Sequence, residues 1–153
     1  MPAFRMVTEI DAPVERCFDL SRSIDLHLES MLASGERAVD GVTSGLIGAG
    51  EQVSWEARHF GVQWRMTARI TAYEPPHRFV DEMVRGPFRS FRHEHVFEPA
   101  GAGTRMTDVV TFRMALGPLA ELPVGLYLRR LLRIRGAAIR SAAITFGDGD
   151  SRG

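Results

Sequence analysis

Hydrophobic and polar positions alternate with a period of two from the start of the chain. Phe4, Met6 and Thr8 fall on one face and Arg5, Val7 and Glu9 on the other, which predicts a strand over residues 3–10. Asp11 then stands two residues before Pro13. An Asp cap followed by a proline, whose missing N–H costs nothing in a first helical turn, predicts a helix starting near Ala12 and carrying Cys17, Phe18 and Leu20. Ser23-Ile24-Asp25 predicts a second capped helix, running to about Met31 and ended by Gly35. Six further extended segments follow, at residues 36–42, 51–60, 62–73, 78–84, 88–98 and 104–114, divided by Gly- and Pro-rich turns. From Leu119 to about Phe146 the period changes to that of a helix. Its apolar stripe is expected from Leu119, Leu122, Leu126, Leu128, Leu131, Leu132, Ile139 and Ala143, and its basic flank from Arg129, Arg130, Arg133, Arg135 and Arg140. Pro123 and Gly125 predict a kinked or separate first turn.

The alternation also predicts register. Phe60-Gly61 suits a two-residue hairpin turn. If His59 opposes Val62, then Ala57 opposes Trp64, Trp55 opposes Met66, and Val53 opposes Ala68, all on one apolar face. The other face then sets Glu56 against Arg65, and a slip of one residue would destroy the sorting. In residues 88–98 the charged Arg92, Glu94 and Glu98 alternate with Phe91, His93, His95 and Phe97, which places both histidines on the inner face. In residues 104–114, Met106, Asp108, Val110 and Phe112 point inward. The turn at 99–103 makes these two strands neighbours. One register sets His93 opposite Asp108, and a shift of two sets His95 there instead. Whether Asp81 or Glu82 faces inward is blurred by the Gly86-Pro87 turn.

An inward Asp is costly unless it is paired or hydrogen-bonded, so it should meet one of these imidazoles. Such a group can act as general acid and base on a bound carbonyl compound, anchor the polar end of a ligand, or simply satisfy itself inside a sheet. His59, His93, His95 and Asp108 also match an imidazole and carboxylate donor set, with a His-x-His spacing on one strand. The strands that carry them are not brought together by the sequence, and no metal is expected.

Composition narrows the classes. At 153 residues the chain fits one domain, and with 44% hydrophobic and 25% charged residues it can build a core without metal or disulfide. Nineteen basic residues against nineteen acidic ones give no general attraction for nucleic acid. Cys17 is the lone cysteine and the expectation for it is a buried, inert thiol. Residues 1–10 lack the apolar block of a signal peptide, and no stretch has the apolar length of a membrane span, so a cytoplasmic protein without integral membrane association is expected. Gly45, Gly48 and Gly50 lack the Gly-Lys-Ser/Thr that would make a phosphate loop, and read as a flexible lip. A single domain over residues 1–146 with a disordered tail at 147–153 is the expected organisation.

Three segments and their order carry a family resemblance. They are Ile10-Asp11-Ala12-Pro13 before Val14-Glu15-Arg16-Cys17-Phe18, then Tyr73-Glu74-Pro75-Pro76-His77-Arg78-Phe79, then Gly103-Thr104-Arg105-Met106-Thr107-Asp108 ahead of the long helix. Over residues 3 to about 145 the chain resembles the START-like (SRPBCC) superfamily, and within it the polyketide cyclase-like single-domain bacterial proteins. The resemblance implies an α+β helix-grip fold, in which a curved antiparallel sheet of six or seven strands wraps a long C-terminal helix. It also implies a cavity for a lipid, polyketide, quinone or similar molecule. Trp55, His59, Trp64, Met66, Phe91, Met106 and Phe112 are then the candidate cavity walls, with His93, His95 and Asp108 as polar anchors or catalytic groups. The superfamily shares no catalytic motif, so the chain is read first as a binding protein that uses no cofactor. Second, it is read as a cyclase, aromatase or dehydratase built on the same His/Asp group. Third, it is read as an interaction module with a vestigial cavity. The sequence leaves the oligomeric state open, a homodimer included.

Overall fold

The computed structural model describes residues 3–32, 35–59 and 61–150, the last six of these as backbone only. Its elements follow the order β1 (Ala3–Ile10), α1 (Val14–Ser21), α2 (Ile24–Ser30), β2 (Arg37–Gly41), β3 (Gln52–His59), β4 (Val62–Glu74), β5 (Arg78–Arg85), β6 (Ser90–Ala100), β7 (Gly103–Arg113) and α3 (Pro118–Asp150). The seven strands form one antiparallel sheet in the order β1-β7-β6-β5-β4-β3-β2. This is the helix-grip arrangement.

The β3–β4 hairpin has the expected register, with His59 opposite Val62 and Trp55 opposite Met66. Glu56 and Arg65 meet at 3.8 Å on the outer face. Gly61 adopts the left-handed φ of 74° that such a turn asks for, and its partner Phe60 lies outside the described residues. Between β6 and β7 the strands run further than expected. Pro99 and Ala100 pair with Thr104 and Gly103, so the reversal shrinks to Gly101 and Ala102. That tight turn selects the second of the two registers, with His95 opposite Asp108 and Phe97 opposite Met106.

The helices bring corrections. α1 begins at Val14 with Pro13 in the capping position and no side-chain cap, so Asp11 does not cap it. The α2 cap is as expected: the Ser23 hydroxyl accepts from the Leu26 backbone N–H. In α3 the expected stripe is half right. Ile139 and Ala143 are buried, and Leu128 and Leu132 pack on Phe4, Val110 and Phe112. Leu119, Leu122 and Leu126 instead stand exposed. Spacing explains this: the inward row runs through the partly buried Val124, Leu128 and Leu132 and the buried Arg135, Ile139 and Ala143, and the three leucines lie on the far side of it. α3 is also helical to Asp150, where a disordered tail was expected from residue 147. Residues 151–153 lie outside the described residues.

The core sits where α1 closes one end of the sheet. Phe18 makes ring contacts with Tyr73, Phe79 and Phe97 at 5.4–5.6 Å between centroids, in tilted or edge-on geometries that favour aromatic attraction. Cys17 is fully buried beside it, and burial raises its thiol pKa, as suits an inert sulfur. No helix among the described residues is long and apolar enough to cross a membrane.

Candidate functional site

A cavity of about 340 Å³ lies between the inner face of the sheet and α3. Its walls are apolar, built by Val53, Ala57, Met66, Ala68 and Ile70 from β3 and β4, by Phe91 and Val110, and by Val124, Leu128, Leu131 and Leu132 from α3. Period-two alternation on the strands and the buried row on the helix deliver these side chains to the same space. The lining residues that remain exposed are Trp64 at the β3–β4 hairpin and Pro87 in the turn after β5, which puts the mouth there. Near that mouth His59 Nδ1 lies 2.7 Å from the Tyr127 hydroxyl, tying the hairpin to α3. At the α2 side Trp55 lies against the His27 ring at 4.3 Å between centroids, and His27 in turn meets Glu36 at 2.5 Å.

Among the expected wall residues, Trp55, His59, Trp64, Met66, Phe91, His93 and His95 line this cavity. Met106 and Phe112 do not: both are fully buried in the core clusters beneath it. Asp108 is 1% exposed and lies behind the histidines.

The polar cluster is larger than the sequence suggested. Asp81 turns inward because the β5–β6 register sets it opposite His93, while Glu82 turns outward toward Arg92. Carboxylates only accept, so the imidazole N–H groups donate. His93 Nε2 donates to Asp108 Oδ1 at 2.7 Å, and His95 Nε2 donates to Asp81 Oδ2 at 2.7 Å. His95 Nδ1 faces Asp108 Oδ1 at 3.4 Å and makes no hydrogen bond. The two histidine rings stack at 3.7 Å, and Phe79 stacks on the outer side of His95 at 4.0 Å.

The second unforeseen member is Arg135. Sequence placed it on the basic flank of α3, but it is 6% exposed and reaches inward. One guanidinium nitrogen donates to Asp108 at 3.3 Å and the other to the Ser21 carbonyl at 2.8 Å. A single side chain thus joins α3 to β7 and caps the last turn of α1. The signal was in the spacing, since Arg135 is four residues from Leu131 and from Ile139.

Burial alone would keep Asp108 neutral. The hydrogen bond from His93, the contact from His95 and the charge of Arg135 outweigh it and hold this carboxyl well below the ordinary aspartate value of 3.8. Asp81 is lowered too, against its burial, chiefly by the His95 hydrogen bond. His93 moves below the ordinary imidazole value of 6.5 because burial and the neighbouring His95 outweigh the attraction of Asp108. Asp81, His93 and His95 offer three donor atoms within 4.8 Å of one another, a spacing a metal ion could use. Both Nε2 atoms, however, already face carboxylates, and Arg135 supplies the cation of the cluster. The arrangement is an ion-pair network, and it does not read as a metal cradle.

These shifts set an acid limit on stability. With His93 lowered, the unfolded chain binds a proton below pH 6.5 that the native chain refuses, so stability falls as the pH drops below that value. With Asp81 and Asp108 lowered, their contribution is complete above pH 3.8 and is lost as the pH falls below it. Urea midpoints measured from neutral to mildly acid pH should therefore decrease steadily. A midpoint that stays flat down through the histidine range would contradict a neutral buried His93.

A curved sheet gripping one long helix, with an apolar cavity between them and a buried charged cluster in its wall, defines a START-like protein of the helix-grip class. A family model described as "Polyketide cyclase / dehydrase and lipid transport" matches residues 1–140, and the chain belongs to that family. Solved structures agree on the fold. TTHA0849 from Thermus thermophilus is 20% identical with a TM-score of 0.68, covering 93% of this chain and 99% of that one. Ara h 8.0201 is 16% identical with a TM-score of 0.73, covering 94% and 98%. Major latex-like protein 151 from Panax ginseng is 16% identical with a TM-score of 0.69, covering 93% and 97%. At these identities the likeness concerns fold alone. No curated protein sequence matches the chain.

Proposed function

We propose that the chain binds a lipophilic small molecule with one polar end. Its apolar body would fill the space between sheet and α3, and its polar end would meet His93, His95, Asp81 and Arg135. The observation that carries this reading is the composition of one wall. A largely apolar cavity of about 340 Å³ carries in its sheet wall a buried charged cluster of Asp81, His93, His95 and Arg135, with a second, smaller pair, His27 and Glu36, at its α2 side. Sites of this kind use apolar area for affinity and a few polar groups for orientation. The family description, which names lipid transport beside cyclase and dehydrase chemistry, supports the same reading.

The test is gentle native mass spectrometry on freshly purified protein, followed by solvent extraction of anything released. A stoichiometric lipophilic molecule is the expected result. A clean apo mass, with no binding across a panel of lipids and polyketides, would defeat the proposal and leave an interaction module. Trp55→Ala should weaken binding of the extracted molecule about ten-fold or more, given the aromatic area it contributes. Titration of the variant against the wild type checks this.

One observation favours a second reading. His93 lines the cavity, is held neutral at neutral pH, and is oriented by an ionised Asp108. That is the constitution of a general base, suited to proton abstraction beside a carbonyl in cyclase or dehydratase chemistry without a cofactor. His93→Ala separates the two: a carrier loses affinity, whereas an enzyme keeps binding and loses turnover.

A further inference from the structure

α3 carries a second apolar face, and nothing among the described residues covers it. Leu116, in the turn before the helix, is 82% exposed; Leu119, Leu122 and Leu126 are 94%, 71% and 63% exposed. The three helical leucines follow each other at intervals of three and four, so they share one side of the helix, opposite the row that closes the cavity. The same intervals continue through Arg129 and Arg133, with Arg130 beside them and Arg140 two turns on. All four arginines are exposed. Arg129 lies over the Phe4 ring at 5.5 Å. Between Pro118 and Phe146 the acidic residue is Glu121, and its carboxylate accepts from the Met114 backbone N–H. From Pro118 to Ile144 the outer face of α3 is thus leucine-rich at its start and arginine-rich along its middle, and Glu121 is the one acidic residue of that stretch.

A chain with balanced total charge has no need to concentrate four arginines beside four exposed leucines. Four leucines left in water are an apolar patch of the kind that marks an interaction surface. A second copy of the chain fits poorly, because each copy would bring the same arginines to the contact. An anionic bilayer answers both halves. Leucine side chains enter the boundary between headgroups and acyl chains, and arginines meet lipid phosphates. We propose that the outer face of α3, from Leu116 to Arg133, docks this protein peripherally onto an anionic lipid surface. The inner face of the same helix segment, through Val124, Tyr127 and Leu128, borders the cavity beside its mouth at Trp64 and Pro87.

Vesicle co-sedimentation tests this, with one set of vesicles made of phosphatidylcholine and another of equal parts phosphatidylcholine and phosphatidylglycerol. The protein should bind the anionic vesicles, fail on the neutral ones, and release when the salt is raised. Arg130→Gln should weaken binding about five-fold, and Arg130→Gln with Arg133→Gln on the order of twenty-fold. Leu119→Gln with Leu122→Gln should weaken it about ten-fold or more. These side chains are exposed and lie outside the cavity, so the variants should keep the wild-type melting temperature. Equal binding to both vesicle types, or none to either, overturns the proposal. So does a dimer in analytical ultracentrifugation that the leucine variant dissociates, since a second copy would then be the occupant. The measurement needs no cargo, and its failure would leave the cavity reading standing.

Discussion

Replacing Arg135 with Met should destabilise the protein by about 3–5 kcal/mol, the usual consequence of stripping one partner from a buried ion pair. Asp108, 1% exposed, would keep its two histidine contacts but lose the guanidinium charge, and the Ser21 carbonyl would lose its donor. For a chain of this size that corresponds to a fall on the order of 10 °C in Tm. Adding Asp108→Asn to Arg135→Met should recover a large part of the loss, because the uncompensated charge is then gone. Thermal melts of the single and double variants decide the matter. A single variant that loses under about 1 kcal/mol would mean that Asp108 does not depend on Arg135 for its charge.

Phe18→Ala should produce a loss of similar size, about 3–5 kcal/mol, measurable by urea unfolding. Its ring is 1% exposed and touches Tyr73, Phe79 and Phe97, so little around it can collapse into the gap. The effect should extend to the cavity. Phe79 is held between Phe18 and His95, on which it stacks, and a loosened Phe79 leaves His95 less well oriented. Ligand affinity should therefore fall in this variant although Phe18 does not line the cavity. Unchanged affinity would separate the core from the site.

Much of this architecture is legible in residue order because alternation is a local signal. The β3–β4 hairpin is the clearest instance: one register puts Val53, Trp55 and Ala57 on the face of Met66 and Ala68, and the fold adopts it. The β6–β7 pair shows where the signal ends. Both registers keep the histidines inward, and only the shortening of the turn to Gly101 and Ala102 chooses between them. Asp81 was hidden for a related reason. β4 and β5 are joined through two register shifts, between Thr67 and Ala68 and between Ile70 and Ala72, which no alternation pattern announces. Arg135 was hidden by its type. An arginine among arginines reads as a solvated flank, although its spacing from Leu131 and Ile139 places it on the buried row. Leu119, Leu122 and Leu126 are the mirror case, assigned to the core by type and excluded from it by spacing.

Gly136, next to Arg135 on α3, faces β1 so closely that a Cβ there would sit 2.9 Å from the Thr8 hydroxyl oxygen. A helix can slide along a sheet only if successive turns offer similar surfaces. One turn of travel is about 5.4 Å and would press either Leu132 or Arg140 against the Thr8 side chain. The close fit of Gly136 on Thr8 therefore opposes lengthwise sliding of α3 along β1 as a way to enlarge the cavity. The exposed lining residues Trp64 and Pro87 then make the hairpin tip and the turn after β5 the parts to displace for entry. The protein's entry kinetics should then follow the stiffness of those two turns and the His59–Tyr127 contact that ties the hairpin to α3.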